Sequence, residues 1–208
     1  ENVTICLNGN TITADSELNA FITEGNLTIC DCTSTVHYGA VDANTRLWKE
    51  YAVSQGENAV DLMGGVITGA GRSAVNVTGG TFKLEGGNIA GNKTTGNGAG
   101  VYVATAGKFV MNGGSITGNY ATGSHGGGIY VASGTMNFEN LTATGNTGKD
   151  CGGLYVASGA TGNLNGGEIS GNKATNADNA DQGGGAIHLA SASKVIFEGG
   201  VFKNNNAV

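Results

Sequence analysis

Gly113-Gly114-Ser115-Ile116-Thr117-Gly118-Asn119 decides the fold, because the chain repeats nearly the same phrase five times. It recurs as GGNIAGN ending at Asn92, NLTATGN at Asn146, GGEISGN at Asn172 and GGVFKNN at Asn205, with gaps of 27, 27, 26 and 33 residues. A period of this length marks one supersecondary unit stacked on copies of itself. Working outward from each phrase, two further segments repeat with it. One reads AVNV (74–77), GVYV (100–103), GIYV (128–131), GLYV (153–156) and AIHL (186–189); the other starts at Thr81, Lys108, Thr135, Thr161 and Lys194. All three show the two-residue period of a strand and none the 3.6-residue period of a helix.

Aligning the units gives apolar columns: Val75, Val101, Ile129, Leu154 and Ile187 in the first segment, Leu84, Met111, Phe138, Leu164 and Phe197 in the second, Ile89, Ile116, Ala143, Ile169 and Phe202 in the third. The pattern predicts an all-β parallel solenoid, about three short strands per coil and about seven or eight coils, stacked at about 4.8 Å. Glycine, 39 residues in all, supplies the bends, and the absence of proline leaves every ladder donor in place. The Asn92, Asn119, Asn146, Asn172 and Asn205 column is expected to be a structural amide ladder at one bend.

The N-terminal third repeats more loosely. Val3-Thr4-Ile5-Cys6 and Leu27-Thr28-Ile29-Cys30 lie one coil apart, and Val60 and Leu62 with Gly64-Gly65-Val66-Ile67 match the second and third segments of a unit. The expected organisation is a single β-helix domain: N-terminal coils over 1–32, a non-repetitive insert over 33–58 and regular repeats over 59–208. In the insert, Asp42-Ala43-Asn44-Thr45 reads as the start of a short helix carrying Leu47, Trp48, Tyr51 and Ala52 on one face. Its expected role is to pack on the side or end of the solenoid, or to bind ligand through Trp48.

Gly127-Gly128-Ile129, Gly185-Ala186-Ile187 and Phe202-Lys203-Asn204-Asn205 resemble the GGGI/GGAI and FxxN repeats of chlamydial-type polymorphic outer-membrane proteins. CLNGNTIT, LTICDC and MNGGSITGN are similar to segments of large secreted surface proteins of anaerobic Gram-positive bacteria. Outside roughly Thr33–Asn58 the resemblance covers the chain. It implies a right-handed, single-stranded parallel β-helix of the pectin-lyase-like fold, an extracellular or cell-surface location, and a piece of a longer protein. This fold hosts lyases, hydrolases, adhesins and inert stalks, so the resemblance does not choose among activities.

Charged residues make up 12% of the chain and the net charge is −6, so a basic nucleic-acid footprint is absent. No apolar run approaches a membrane span. Of four cysteines, Cys6 and Cys30 belong on adjacent strands within disulfide range. If Ile5, Leu7 and Ile29 point inward, Cys6, Cys30 and Cys32 all point outward. A Cys6–Cys30 bridge and stacked free thiols are both open readings. The Cys-Asp-Cys spacing is not that of a zinc knuckle, and no metal or cofactor is expected. Cys151 stands at a bend without a partner in sequence.

Two outward columns carry functional readings. Tyr102, Tyr130, Tyr155 and His188 alternate with inward residues and form a stripe suited to stacking against sugar faces or a protein partner; the alternative is a cross-strand ladder that stabilises the sheet. Glu85, Asn112, Glu139, Asn165 and Glu198 form the other column. Carboxylates on alternate coils stand about 9.6 Å apart from the strand spacing, against about 5 Å for retaining and about 6.5–9.5 Å for inverting glycoside hydrolysis. The Glu/Asn alternation also avoids like charges on neighbouring strands. The loop 173–182, with Asp178 and Asp181, lacks the order of a calcium loop, and His37 and His125 are not read as ligands. An ice-binding face is disfavoured because Asn76, Tyr102 and Tyr130 occupy slots where threonine columns would be needed.

The sequence therefore predicts a non-catalytic secreted or surface β-helix, an adhesin or structural stalk with a glycan or host surface protein as partner. The alternative is a polysaccharide-active lyase or inverting hydrolase using Glu85, Glu139 and Glu198.

Overall fold

Strand Val75–Leu84 pairs in parallel with Val101–Met111, residue for equivalent residue one repeat later, apart from a register shift between Val103 and Ala106. The same relation runs through the chain of this computed structural model, which describes residues 1–53, 60–176 and 183–208. Among these residues there is no helix, so none that is long and apolar enough to cross a membrane.

Three parallel sheets result. The first and second sequence segments lie in one 11-stranded sheet, joined into single strands over Val75–Leu84 and Val101–Met111 and separated in later repeats. The third segment forms a seven-stranded sheet running from Thr11–Thr13 to Val201–Lys203. A five-stranded corner ladder, Lys93–Thr94 to Asn206–Ala207, follows the Asn phrase and was not apparent in the sequence. Such a succession of parallel strands, each paired with its equivalent in the next repeat, is compatible with a β-solenoid.

The apolar columns face one interior. Val75, Val101, Ile129 and Leu154 are fully buried, as are Leu84, Met111 and Phe138. Phe82 and Phe109 stack with centroids 5.0 Å apart, and Phe138 meets Phe109 edge-on at the same distance. Fully burying a side chain of this size contributes about 1.5–3 kcal/mol. In the last repeat the column members Phe197 and Phe202 are 43% and 47% exposed.

The asparagine ladder explains the defining phrase. Asn119 Nδ2 donates to Ile89 O (2.9 Å) and Asn146 Oδ1 (3.0 Å), while Asn119 Oδ1 accepts from Asn92 N and Nδ2 (3.1 and 2.9 Å). Asn146 and Asn172 repeat this arrangement. All four hydrogen-bonding positions of these buried amides are thereby satisfied. The residue before each amide is left-handed: Gly91, Gly118, Gly145 and Gly171 have φ of 61–63°, and Asn204 takes φ 55° before Asn205. Glycine and then asparagine are the residues that tolerate this conformation, hence the recurring Gly-Asn and the final Asn-Asn.

The insert departs from expectation. Leu47, Trp48, Tyr51 and Ala52 are not on a helix: Trp48–Tyr51 is a strand, antiparallel to Val36–Val41, which pairs on its other side with Val60–Met63. Asp42 Oδ1 does accept from the amides of Asn44 and Thr45 (2.9 and 2.7 Å), the capping chemistry that suggested a helix start. Here it closes a hairpin turn instead, because a neighbouring strand offers ladder partners that an isolated short helix lacks. The insert also extends to Met63, so Val60 and Leu62 belong to it; the second segment of that coil is Asn26–Cys30. Residues 177–182 lie outside the described residues, and with them Asp178 and Asp181.

Candidate functional site

In-register parallel pairing puts like residues directly above one another, and Tyr102, Tyr130, Tyr155 and His188 are consecutive partners. Their neighbours Val101, Val103, Ile129, Val131, Leu154 and Val156 are buried, so the rings project from the outer face of the first sheet. The stack is continuous. Ring centroids are 5.4, 5.2 and 4.5 Å apart in turn, with interplanar angles of 6°, 17° and 7°. Each ring is half-buried. Burial, followed by the neighbouring phenols Tyr155 and Tyr102, raises the Tyr130 pKa above the ordinary phenol value. Burial likewise raises Tyr155, with Asp150 and Cys151 adding to it.

Loops at the strand entrances wall one side of the stripe. His125, which the sequence leaves without a partner, lies 4.6 Å from the Tyr155 ring and 6.2 Å from Tyr130. Its Nδ1 stands 2.5 Å from Oδ2 of buried Asp150, close enough for an ion pair but without hydrogen-bond alignment. Asn97 Oδ1 accepts from the His125 amide at 3.0 Å and from the Ser124 hydroxyl, fixing the loop. A signal for this pairing existed: Asp150 follows His125 by nearly one repeat, so the two occupy equivalent places in adjacent loops. Beside Tyr102 the stripe opens into a recess of about 470 Å³ lined by Arg72, Asn76, Asn97 and Glu17. Rigid aromatic faces beside amide, guanidinium and carboxylate groups can stack on flat apolar surfaces while hydrogen-bonding a polar rim.

The carboxylate column is organised differently. Glu85 accepts from Asn112 Nδ2 (3.3 and 3.1 Å) and forms an ion pair with Lys83; Glu139 accepts from Asn165 Nδ2 (3.2 and 3.2 Å). The Lys83 ammonium, helped by the Asn112 amide against burial, holds the Glu85 carboxyl below the ordinary range. A general acid needs the opposite shift. Glu198 continues the column, its amide bonded to Leu164 O. Glu85 and Glu139 thus form amide–carboxylate pairs with the asparagines of the neighbouring strands.

Trp48, grouped by sequence with the binding residues, is only 9% exposed. It packs with Leu62, Val66, Ala90 and Val41 between the insert and the outer face of the second sheet. Arg46 lies 4.9 Å over the Tyr120 ring, and Asn88 Nδ2 donates to Met63 O at 2.8 Å. His37, also without a partner in sequence, is buried with Nδ1 2.7 Å from Glu50 Oε1 and Nε2 2.8 Å from Gly9 O, tying the insert to the first coil. The insert is a covering for the second sheet.

All four cysteines are free thiols. Cys151 is buried, its thiol donates to Leu154 O at 3.2 Å, and burial pushes its pKa up to about 12, which suits a packing role. Cys6 and Cys30 are register partners, and their sulfurs form a close group with that of Cys32.

The fold and its outer columns define an all-β repeat protein of parallel strands bearing an aromatic stripe. No protein-family profile, curated protein or solved structure matches the chain.

Proposed function

We propose that this chain is a right-handed, single-stranded parallel β-helix of the pectin-lyase-like kind, exposed at a cell surface, that binds carbohydrate without catalysis. The handedness follows from the strong preference of parallel strand–crossover–strand connections for the right-handed sense. The observation that carries the binding role is the unbroken stack Tyr102–Tyr130–Tyr155–His188. A stripe of four near-parallel half-buried rings presents a flat amphipathic edge to solvent, and the recess beside Tyr102 supplies hydrogen-bonding groups at one end. The surface location rests on the low charge content and the sequence resemblance. Pairing of Glu85 and Glu139 with amides favours the non-catalytic reading over a lyase or hydrolase.

The test is a glycan array probed with the wild-type chain beside Tyr102→Ala/Tyr130→Ala/Tyr155→Ala and the matching triple Phe variant. Specific binding that survives in the Phe triple and disappears in the Ala triple supports ring stacking on sugar. A folded wild type that binds no glycan sinks the proposal and leaves a structural stalk, with the tyrosines as a sheet-stabilising ladder.

A further inference from the structure

Three cysteine sulfurs meet on the outer face of the first sheet. Cys6 and Cys30 are paired at the same register of adjacent parallel strands, so their side chains leave the sheet on the same side. Cys32 stands two positions on, just past the end of strand Asn26–Cys30, and its sulfur comes back beside the other two. The Sγ atoms of Cys6, Cys30 and Cys32 all lie within 4.8 Å of one another.

The backbone that sets this geometry is pinned from the opposite side. Asp31, between the two cysteines, points away from them. Its Oδ2 accepts from the amides of Gly9 (3.0 Å) and Gly65 (2.7 Å), and its Oδ1 accepts from the amide and hydroxyl of Thr33 (2.8 and 2.9 Å). The Cys30–Cys32 segment is thereby anchored to two other parts of the chain while its sulfurs remain accessible: Cys6 and Cys32 are exposed and Cys30 is half-buried.

We propose that Cys6, Cys30 and Cys32 form a thiolate site for a soft closed-shell metal ion, of the class of Zn(II) or Cu(I). A metal–sulfur bond of about 2.3 Å places sulfurs about 3.8–4.0 Å apart in a tetrahedral or trigonal site. The observed group therefore needs a closure of less than about 1 Å, which side-chain rotation supplies. Thiolate donors select thiophilic ions over the hard cations that oxygen ligands take. Three protein sulfurs complete a trigonal shell, or leave one position of a tetrahedron open to water or an exogenous ligand. Binding exchanges each S–H proton for the metal, so three protons leave for each ion bound and no electron is transferred. A disulfide uses only two of these sulfurs and leaves the third beside it, able to attack and reshuffle the bond. A metal ion engages all three.

The experiment uses the fully reduced chain under anaerobic conditions. Zn(II) and Cu(I) are titrated separately against a chromophoric competitor, with circular dichroism recorded throughout. The variants are Cys6→Ser, Cys30→Ser, Cys32→Ser and, as control, Cys151→Ser. The expected result is one equivalent of at least one ion in wild type and in a folded Cys151→Ser. Each triad variant should weaken binding about 100-fold or more, at or beyond the top of the roughly 10–100-fold range for losing an outer-shell partner. If Cys151→Ser does not fold, wild type compared with the three outer-face variants decides the matter. The proposal is overturned if the folded, reduced wild type binds neither ion, or if Cys32→Ser binds with unchanged stoichiometry and affinity.

Discussion

Asn119 gives its side-chain amide to Asn146 Oδ1 at 3.0 Å, and its backbone N–H donates to the same oxygen at 3.0 Å. One carbonyl oxygen thus serves both the amide ladder and the main chain of the preceding repeat. Asn119→Ala removes four hydrogen bonds and leaves Ile89 O, Asn146 Oδ1 and two donors of Asn92 buried without those partners. The expected cost is about 3–5 kcal/mol, at the upper end of single-residue effects. Asn205→Ala, at the less buried last rung, should cost less, and urea unfolding of both variants measures the difference.

The glycine before each ladder residue makes a separate prediction. Gly145 has φ 63° with no atom within 4 Å of a potential Cβ, whereas a Cβ on Gly118 would meet Val41 Cγ2 of the insert at 2.3 Å. Gly145→Ala should therefore cost only the left-handed conformation, about 1–2 kcal/mol. Gly118→Ala should cost more, because the insert must shift. Gly145→Asn should be milder than Gly145→Ala, since Asn204 already does this in the last coil. Thermal unfolding of the three variants ranks them.

What could be read from sequence followed from what repeats. The Val75, Leu84 and Ile89 columns were legible because in-register pairing makes equivalent positions neighbours, and alternation gave the outward face of Tyr102 and Cys6. The insert was not legible, because Asp42 caps a hairpin turn with the same bonds it would give a helix, and only the strand Val36–Val41 decides between them. The His125–Asp150 pair was legible only through its near-repeat spacing, since both residues lie in loops whose composition carries no strand signal. The corner ladder is two residues deep, too short to show a period.

Asp31 should make the N-terminal coils acid-sensitive. Burial raises its carboxyl, but the amides of Gly65, Thr33 and Gly9 together outweigh that and hold its pKa below the ordinary value. With the folded pKa below the unfolded one, the stabilisation is complete above about 3.9. It is lost as pH falls through the lower folded value. Amide exchange at Gly9 and Gly65 should accelerate in that window, and Asp31→Asn should flatten the dependence.

Tyr130 and Tyr155 work in the alkaline direction. Their folded pKa values are raised, so the stability they contribute is intact below the unfolded phenol value of about 10. It is lost as pH rises through the folded values. Ultraviolet titration should show these phenols ionising late and loosening the sheet as they do. Tyr130→Phe should remove part of the late absorbance change.

The insert should be separable from the body. His37→Ala deletes the contacts to Glu50 and Gly9 O, and Trp48→Ala empties the space under the hairpin. Large-to-small changes at buried aromatics cost about 3–5 kcal/mol when the loss reaches the whole fold. Here protease sensitivity should rise between Thr33 and Met63 before far-ultraviolet dichroism of the parallel sheets changes. Simultaneous loss of both signals would show that insert and body unfold as one unit.

Because the bonds of Asn92, Asn119, Asn146, Asn172 and Asn205 reach only their own and adjacent repeats, nothing in the arrangement fixes the number of rungs. Closing 33 residues between rungs instead of 26 adds only about 0.2 kcal/mol of chain entropy. A whole repeat inserted or excised between Asn119 and Asn146 would leave every remaining pair in register and lengthen or shorten the tyrosine stripe by one ring. Length is thus a quantity that gene duplication can tune in steps of one rung, with reach and the number of stacked rings growing together.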